Sequence, residues 1–108
     1  MSTSYDVNYD LKKLKQLRSY MEVARQVKEV VLSIDPKAEV YVFGSTVKGM
    51  YTAASDIDIL VVSERKDLEY KIKVESYRRI DAPIEIHFTT PREYEQWYKR
   101  FIDAIRRV

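Results

Sequence analysis

At 108 residues, with 45% hydrophobic and 33% charged side chains, the chain has the size and balance of one water-soluble globular domain spanning residues 1–108, with apolar mass for one core and not for two. A formal net charge of +2 excludes the strongly basic surface of a general nucleic-acid binder and gives no sign of direct nucleic-acid binding, and no run of about 18 apolar residues offers a membrane span. The absence of cysteine excludes disulfides and thiolate metal sites, and with one histidine a His-rich zinc site would need another chain.

The first six residues, Met1-Ser2-Thr3-Ser4-Tyr5-Asp6, lack the basic and apolar regions of a signal peptide, so a cytoplasmic location is expected. From Tyr9 to Ile34, Leu11, Leu14, Leu17, Met21, Ala24, Val27, Val31 and Ile34 recur at three- and four-residue steps and share one helical face. Ser19-Tyr20-Met21-Glu22 has the form of a capping box, which allows either two helices or one helix kinked near Arg18 and Ser19. Asp35-Pro36 ends this region.

Ala38 to Phe43 is rich in valine and aromatic residues and reads as the first strand. Ser45 to Tyr51 reads as a short helix, with Ser45 near its N-cap and Gly49 near its end. Ile57 to Ser63 is the second strand. Arg65 to Ile80 is heavily charged, with a thin apolar face of Leu68, Ile72, Tyr77 and Ile80, and reads as a surface helix. Ala82 to Thr89 is the third strand. Thr90-Pro91-Arg92-Glu93 combines an N-cap threonine, proline at the first helical position and glutamate at the third. It opens a last helix with an apolar stripe of Tyr94, Trp97, Tyr98, Phe101, Ile105 and Val108, in which Arg106 and Arg107 would suit the negative end of the dipole. The order α-β-α-β-α-β-α predicts a two-layer α/β (α+β) domain with a three-stranded mixed sheet and helices mainly on one face.

The chemistry concentrates between the first two strands. Val40-Tyr41-Val42-Phe43 runs into Gly44-Ser45, and ten residues later Asp56 and Asp58 open the second strand. Carboxylates two apart in a strand leave the same face, about 6.5–7 Å apart at Cα, and can converge on one or two hard cations. Mg²⁺ suits such a site, with substrate phosphates completing its shell; in a two-metal site one ion activates the attacking oxygen and the other steadies the leaving phosphate. Gly44 permits a tight turn and close backbone approach to a ligand. Ser45 would add a hydroxyl and an N–H at a helix N-terminus, and Lys48 an ammonium one turn on. In Pro83-Ile84-Glu85-Ile86-His87-Phe88 the alternation turns Glu85 and His87 to one face. Glu85 can join the two aspartates as a metal ligand or as a base for the attacking hydroxyl. His87 reads more simply as a packed strand residue, and Trp97 as core.

The pattern of Gly-Ser, ten residues, Asp-x-Asp and a later acidic residue on the next strand resembles the nucleotidyltransferase signature of the DNA polymerase beta superfamily, and in particular its minimal nucleotidyltransferases (MNT proteins). The resemblance is carried by Gly44, Ser45, Ser55, Asp56 and Asp58 and covers most of the chain from the first helix onward. It implies that Gly44 and Ser45, with Lys48 and Ser55, contact the nucleotide, and that Asp56, Asp58 and Glu85 bind Mg²⁺ and carry catalysis. Thr46 and Lys48 stand where many relatives have arginine, and Glu85 replaces the more usual aspartate. The resemblance further implies pairing with a small helical HEPN protein as the antitoxin of a toxin–antitoxin system, with AMP moved from ATP to a tyrosine of the partner. The alternative is a non-catalytic nucleotide-binding module that neutralises a partner by forming a complex. Leu60 and Val62 share the face of the two aspartates, so they need a cover, from the end of the last helix or from a second copy of the chain.

Overall fold

The computed structural model describes residues 7–101 and 104–108, the side chain of Phe101 excepted. The first helical region is two helices, α1 (Val7–Arg18) and α2 (Tyr20–Ile34), the first of the two forms the sequence allows. The break is at Ser19, whose backbone (φ −97°, ψ 37°) leaves the helical region. Ser19 makes no side-chain cap; its N–H closes α1 on the Lys15 carbonyl at 3.0 Å and its own carbonyl receives the Glu22 N–H at 3.0 Å. The expected capping bond of its hydroxyl is therefore absent, although the break itself is present. Helix α2 buries Val23, Ala24, Val27, Val30 and Val31, one continuous stripe at helical spacing.

Strand β1 (Glu39–Phe43), strand β2 (Ile57–Val62), a 3₁₀ turn (Lys66–Leu68), helix α3 (Glu69–Arg79) and strand β3 (Ile84–Thr89) follow. A last helical segment, α4, begins with Pro91–Glu93, passes through a π turn at Tyr94–Tyr98 and closes with Lys99–Phe101. Its capping box is formed: the Thr90 hydroxyl accepts from the Glu93 N–H, and the Glu93 carboxylate accepts from the Thr90 N–H. The helix does not continue to Val108. Ala104 takes a positive φ of 50°, and Arg106–Arg107 form a fourth strand, β4. The two arginines are therefore strand residues, with Arg106 donating to the Tyr20 hydroxyl at 2.8 Å. Trp97 stands 61% exposed and is not a core residue.

The sheet order is β3-β2-β1-β4, so the described residues form a sheet of four strands where three were expected. β1 is antiparallel to both β2 and β4, and β2 is parallel to β3. On one face Val40, Val42, Ile57, Ile59, Val61, Ile84 and Ile86 join α2 and the buried Ile72 of α3 in the main core. Each such fully buried aliphatic side chain contributes about 1.5–3 kcal/mol. The registers Phe43↔Asp58↔Glu85 and Tyr41↔Leu60↔His87 line up the other face. Leu60 and Val62 on that face are 0% and 4% exposed within the chain itself. Tyr94 of α4 stacks on Tyr41 at 5.1 Å, and the Phe43 and His87 rings, from strands on either side of β2, approach to 5.2 Å. Leu60 and Val62 are thus covered within the chain, with Tyr94 of the last helical segment lying over the neighbouring Tyr41. No described helix is long and apolar enough to cross a membrane.

Candidate active site

The connection from β1 to β2 is a series of turns rather than the expected short helix. Lys48 N–H reaches the Gly44 carbonyl (3.3 Å), Gly49 N–H the Thr46 carbonyl (3.2 Å) and Met50 N–H the Ser45 carbonyl (2.9 Å). These bonds span four, three and five residues, so no helical repeat is set up, and Gly44 (φ +89°) and Gly49 (φ +75°) bend the chain at either end. Without a helix there, the dipole argument for anion binding at Ser45 does not apply. The turn is instead anchored by Thr46, 2% exposed, whose hydroxyl donates to the Asp56 carbonyl at 3.0 Å. Farther along, the Ser55 hydroxyl accepts from the Thr52 N–H at 3.0 Å, and Thr52 accepts from the Ala54 N–H at 3.2 Å, which shapes the approach to β2.

These bonds set Gly44 directly against Asp58. A Cβ on Gly44 would stand 2.6 Å from Asp58 Oδ2, closer than real carbon–oxygen contacts allow. The positive φ and the close approach therefore require glycine for separate reasons. Asp58 directs its other oxygen, Oδ1, to His87 Nε2 at 3.2 Å, and the same nitrogen lies 3.9 Å from Glu85 Oε1. One donor atom each from Asp58, Glu85 and His87 falls within 4.8 Å of the others. Hydrogen bonding to Asp58 holds the imidazole pKa above its ordinary value of 6.5; partial burial opposes this, the charges of Asp58 and Glu85 add to it, and Lys73 works against it.

The sheet register is what makes this cluster. Parallel pairing places Glu85 opposite Asp58, and His87, two residues on, leans back over the same face. Asp56 lies one residue before β2, exposed, and its carboxylate is outside the cluster of three. Ser45 and Lys48 are exposed on the turn. His87 is the residue that the sequence reading set aside. Its alternation with Glu85 was visible, but the register that brings it to Asp58 was not.

The donor set of two carboxylates and one imidazole suits a divalent cation. A separate cavity of about 440 Å³ opens at the far end of β2, lined in part by Asp35, Val62, Ser63 and Pro91. Its buried acid, Asp35, is engaged by the Ser63 hydroxyl and the Lys37 N–H.

The model of the nucleotidyltransferase domain family matches residues 24–108, from within α2 to the last strand. The chain belongs to the nucleotidyltransferase domain family. A crystal structure described as that of a candidate nucleotidyltransferase is 34% identical to it, over 78% of this chain and 95% of the other, with a TM-score of 0.57. A second, from Sulfolobus solfataricus and described in the same terms, is 23% identical over 98% of this chain and 90% of the other, with a TM-score of 0.59, and shows a common fold. No curated protein matches the sequence significantly.

Proposed function

We propose that this nucleotidyltransferase domain transfers AMP from ATP, with Mg²⁺ or another divalent cation, to a hydroxyl of a protein partner, and that the partner is a small helical HEPN-type protein which it neutralises as an antitoxin. The observation that supports this most is the convergence of Asp58, Glu85 and His87 beside the Gly44 turn. Asp58 and Glu85 are the carboxylates to hold metal, with Asp56 a further carboxylate just ahead of the strand. A bound divalent cation would neutralise phosphate charge and acidify the acceptor hydroxyl.

The chain's own groups divide the remaining work. Gly44 lets the backbone come close to the triphosphate, Ser45 offers its hydroxyl, and Lys48 adds positive charge on the same turn. Ser55 and Thr52 bond to each other's stretch of backbone and shape the connection that leads through Asp56 into β2. The acceptor oxygen forms a bond to the α-phosphorus as the bond to the pyrophosphate oxygen breaks. Its proton, made acidic by a bound cation, would leave to solvent at this open edge of the sheet, where Glu85 is exposed.

The test is transfer of label from α-labelled ATP to a co-expressed HEPN-type helical protein, with Mg²⁺ present. Asp58→Asn and Glu85→Gln should each lower transfer by about 100-fold or more while thermal unfolding stays cooperative. Transfer that survives Asp58→Asn would remove this site from the reaction. Metal-dependent ATP binding without transfer would favour the alternative, neutralisation by complex formation alone.

A further inference from the structure

The two oxygens of Asp58 serve different neighbours. Oδ2 faces the Gly44 backbone, and Oδ1 lies 3.2 Å from His87 Nε2. That nitrogen is also 3.9 Å from Glu85 Oε1, so it sits between the two carboxylates. A histidine that merely orients a metal ligand stands behind it, bonded on the side away from the ion. His87 Nε2 instead occupies the space between the carboxylates themselves. Two ligand atoms about 2.1 Å from one ion and at right angles stand about 3 Å apart. At 3.2 Å from Asp58 Oδ1 and 3.9 Å from Glu85 Oε1, His87 Nε2 is close enough to each carboxylate to share one ion with it, since two ligand atoms about 2.1 Å from an ion are at most about 4.2 Å apart. The Phe43 ring, tilted 58° at 5.2 Å, packs against the imidazole and restrains its swing.

We infer that His87 is an inner metal ligand together with Asp58 and Glu85, and that its nitrogen makes the site favour a transition-metal dication such as Mn²⁺ over Mg²⁺. The inference rests on the metal-dependent reading above and concerns the identity of the ion. Mg²⁺ keeps to oxygen ligands and sheds water reluctantly. Mn²⁺ accepts both carboxylate and imidazole, and affinity for mixed N/O sites rises along the first transition row.

Mn²⁺ binding to the full chain, without nucleotide or partner, tests this directly. Free Mn²⁺ is measured by electron paramagnetic resonance, Mg²⁺ by competition, and nitrogen ligation by the electron spin-echo modulation of bound Mn²⁺. The wild type should bind Mn²⁺ about tenfold or more tightly than Mg²⁺ and show nitrogen coupling. His87→Gln, which keeps a hydrogen-bond donor for Asp58, should lose the coupling and about tenfold in Mn²⁺ affinity, with Mg²⁺ affinity changed by less than about twofold. Thermal melting of the variant shows that it folds. If Mn²⁺ binds, is lost in Asp58→Asn, and carries no nitrogen coupling, the inference is overturned while the transfer reading stands. Unchanged Mn²⁺ affinity in His87→Gln overturns it equally. If the wild type binds no divalent ion at millimolar concentration, the inference and the metal in the transfer reading fall together.

Discussion

Replacing Gly44 by alanine puts the geometry of the site to a quantitative test. The backbone there has φ +89°, which costs an L-residue about 1–2 kcal/mol. The new methyl would also stand 2.6 Å from Asp58 Oδ2, about 0.8 Å inside ordinary contact. Either the turn or the carboxylate must yield, and rotating Asp58 away from its rotamer costs about 0.5–1.5 kcal/mol more. The total is about 1.5–3.5 kcal/mol. Gly49 provides the internal control, because its φ is also positive (+75°) but nothing lies within 4 Å of a Cβ built on it. Gly49→Ala should therefore show the backbone cost alone. At about 4–8 °C per kcal/mol for a domain near this size, Gly44→Ala should lower Tm by about 6–28 °C and Gly49→Ala by about 4–16 °C, with Gly44→Ala the larger loss. Divalent-cation affinity should fall in Gly44→Ala and hold in Gly49→Ala, since only the first moves Asp58. Calorimetry and metal titration on the two variants decide the matter. Equal losses of stability, with metal affinity intact in Gly44→Ala, would refute the close approach of Gly44 to Asp58.

Two further outcomes are expected. Thr46→Val keeps the shape of a buried side chain but removes the 3.0 Å hydrogen bond to the Asp56 carbonyl. It should cost about 1–2 kcal/mol in urea unfolding, and a loss under about 0.3 kcal/mol would show that the turn is not anchored there. The Tyr41 phenol donates to Glu39 at 2.6 Å, and burial first, then this bond and the Glu39 charge, hold its pKa above the ordinary value of 10. A folded-state pKa raised above the unfolded one contributes stability that is fully present below the unfolded value and is lost as pH rises past it. The wild type should therefore lose stability between about pH 9 and pH 11, and Tyr41→Phe should lose less over the same interval. Urea midpoints at the two pH values measure the difference, and parallel losses would contradict it.

The elements that rest on local chemistry were legible in the chain. The α2 stripe, the Val-rich strands and the Thr90–Glu93 capping box all depend on residues within one or two turns of each other. So did the break at Ser19, although a backbone excursion produces it and not the serine hydroxyl. The turn after Gly44 reads as a helix from its spacing because the two positive-φ glycines that bend it carry no periodic signal. The last helix was overextended for a related reason: Ile105 and Val108 fit a helical stripe, but β1 has a free edge that Arg106–Arg107 can pair with, and hydrogen bonds to that edge are invisible to a local pattern. Trp97, in the π turn, left the core once that helix no longer followed a regular 3.6-residue course.

By itself the sequence determined which residue types stand where: Gly44 at the end of one strand, Asp56 and Asp58 at the start of the next, and Glu85 alternating with apolar residues on a third. Those facts depend only on chain order and the two-residue period of a strand. Only the tertiary structure decided which of them meet. The parallel register of β2 and β3 set Glu85 opposite Asp58 and brought His87 within 3.2 Å of it, while Asp56 remained outside the group. A shift of one residue in that register would turn Glu85 and His87 to the opposite face, because side chains alternate along a strand. The register is fixed by the burial of Ile57, Ile59 and Val61 beside Ile84 and Ile86 under α2 and α3, so the apolar face decides the chemistry of the polar one.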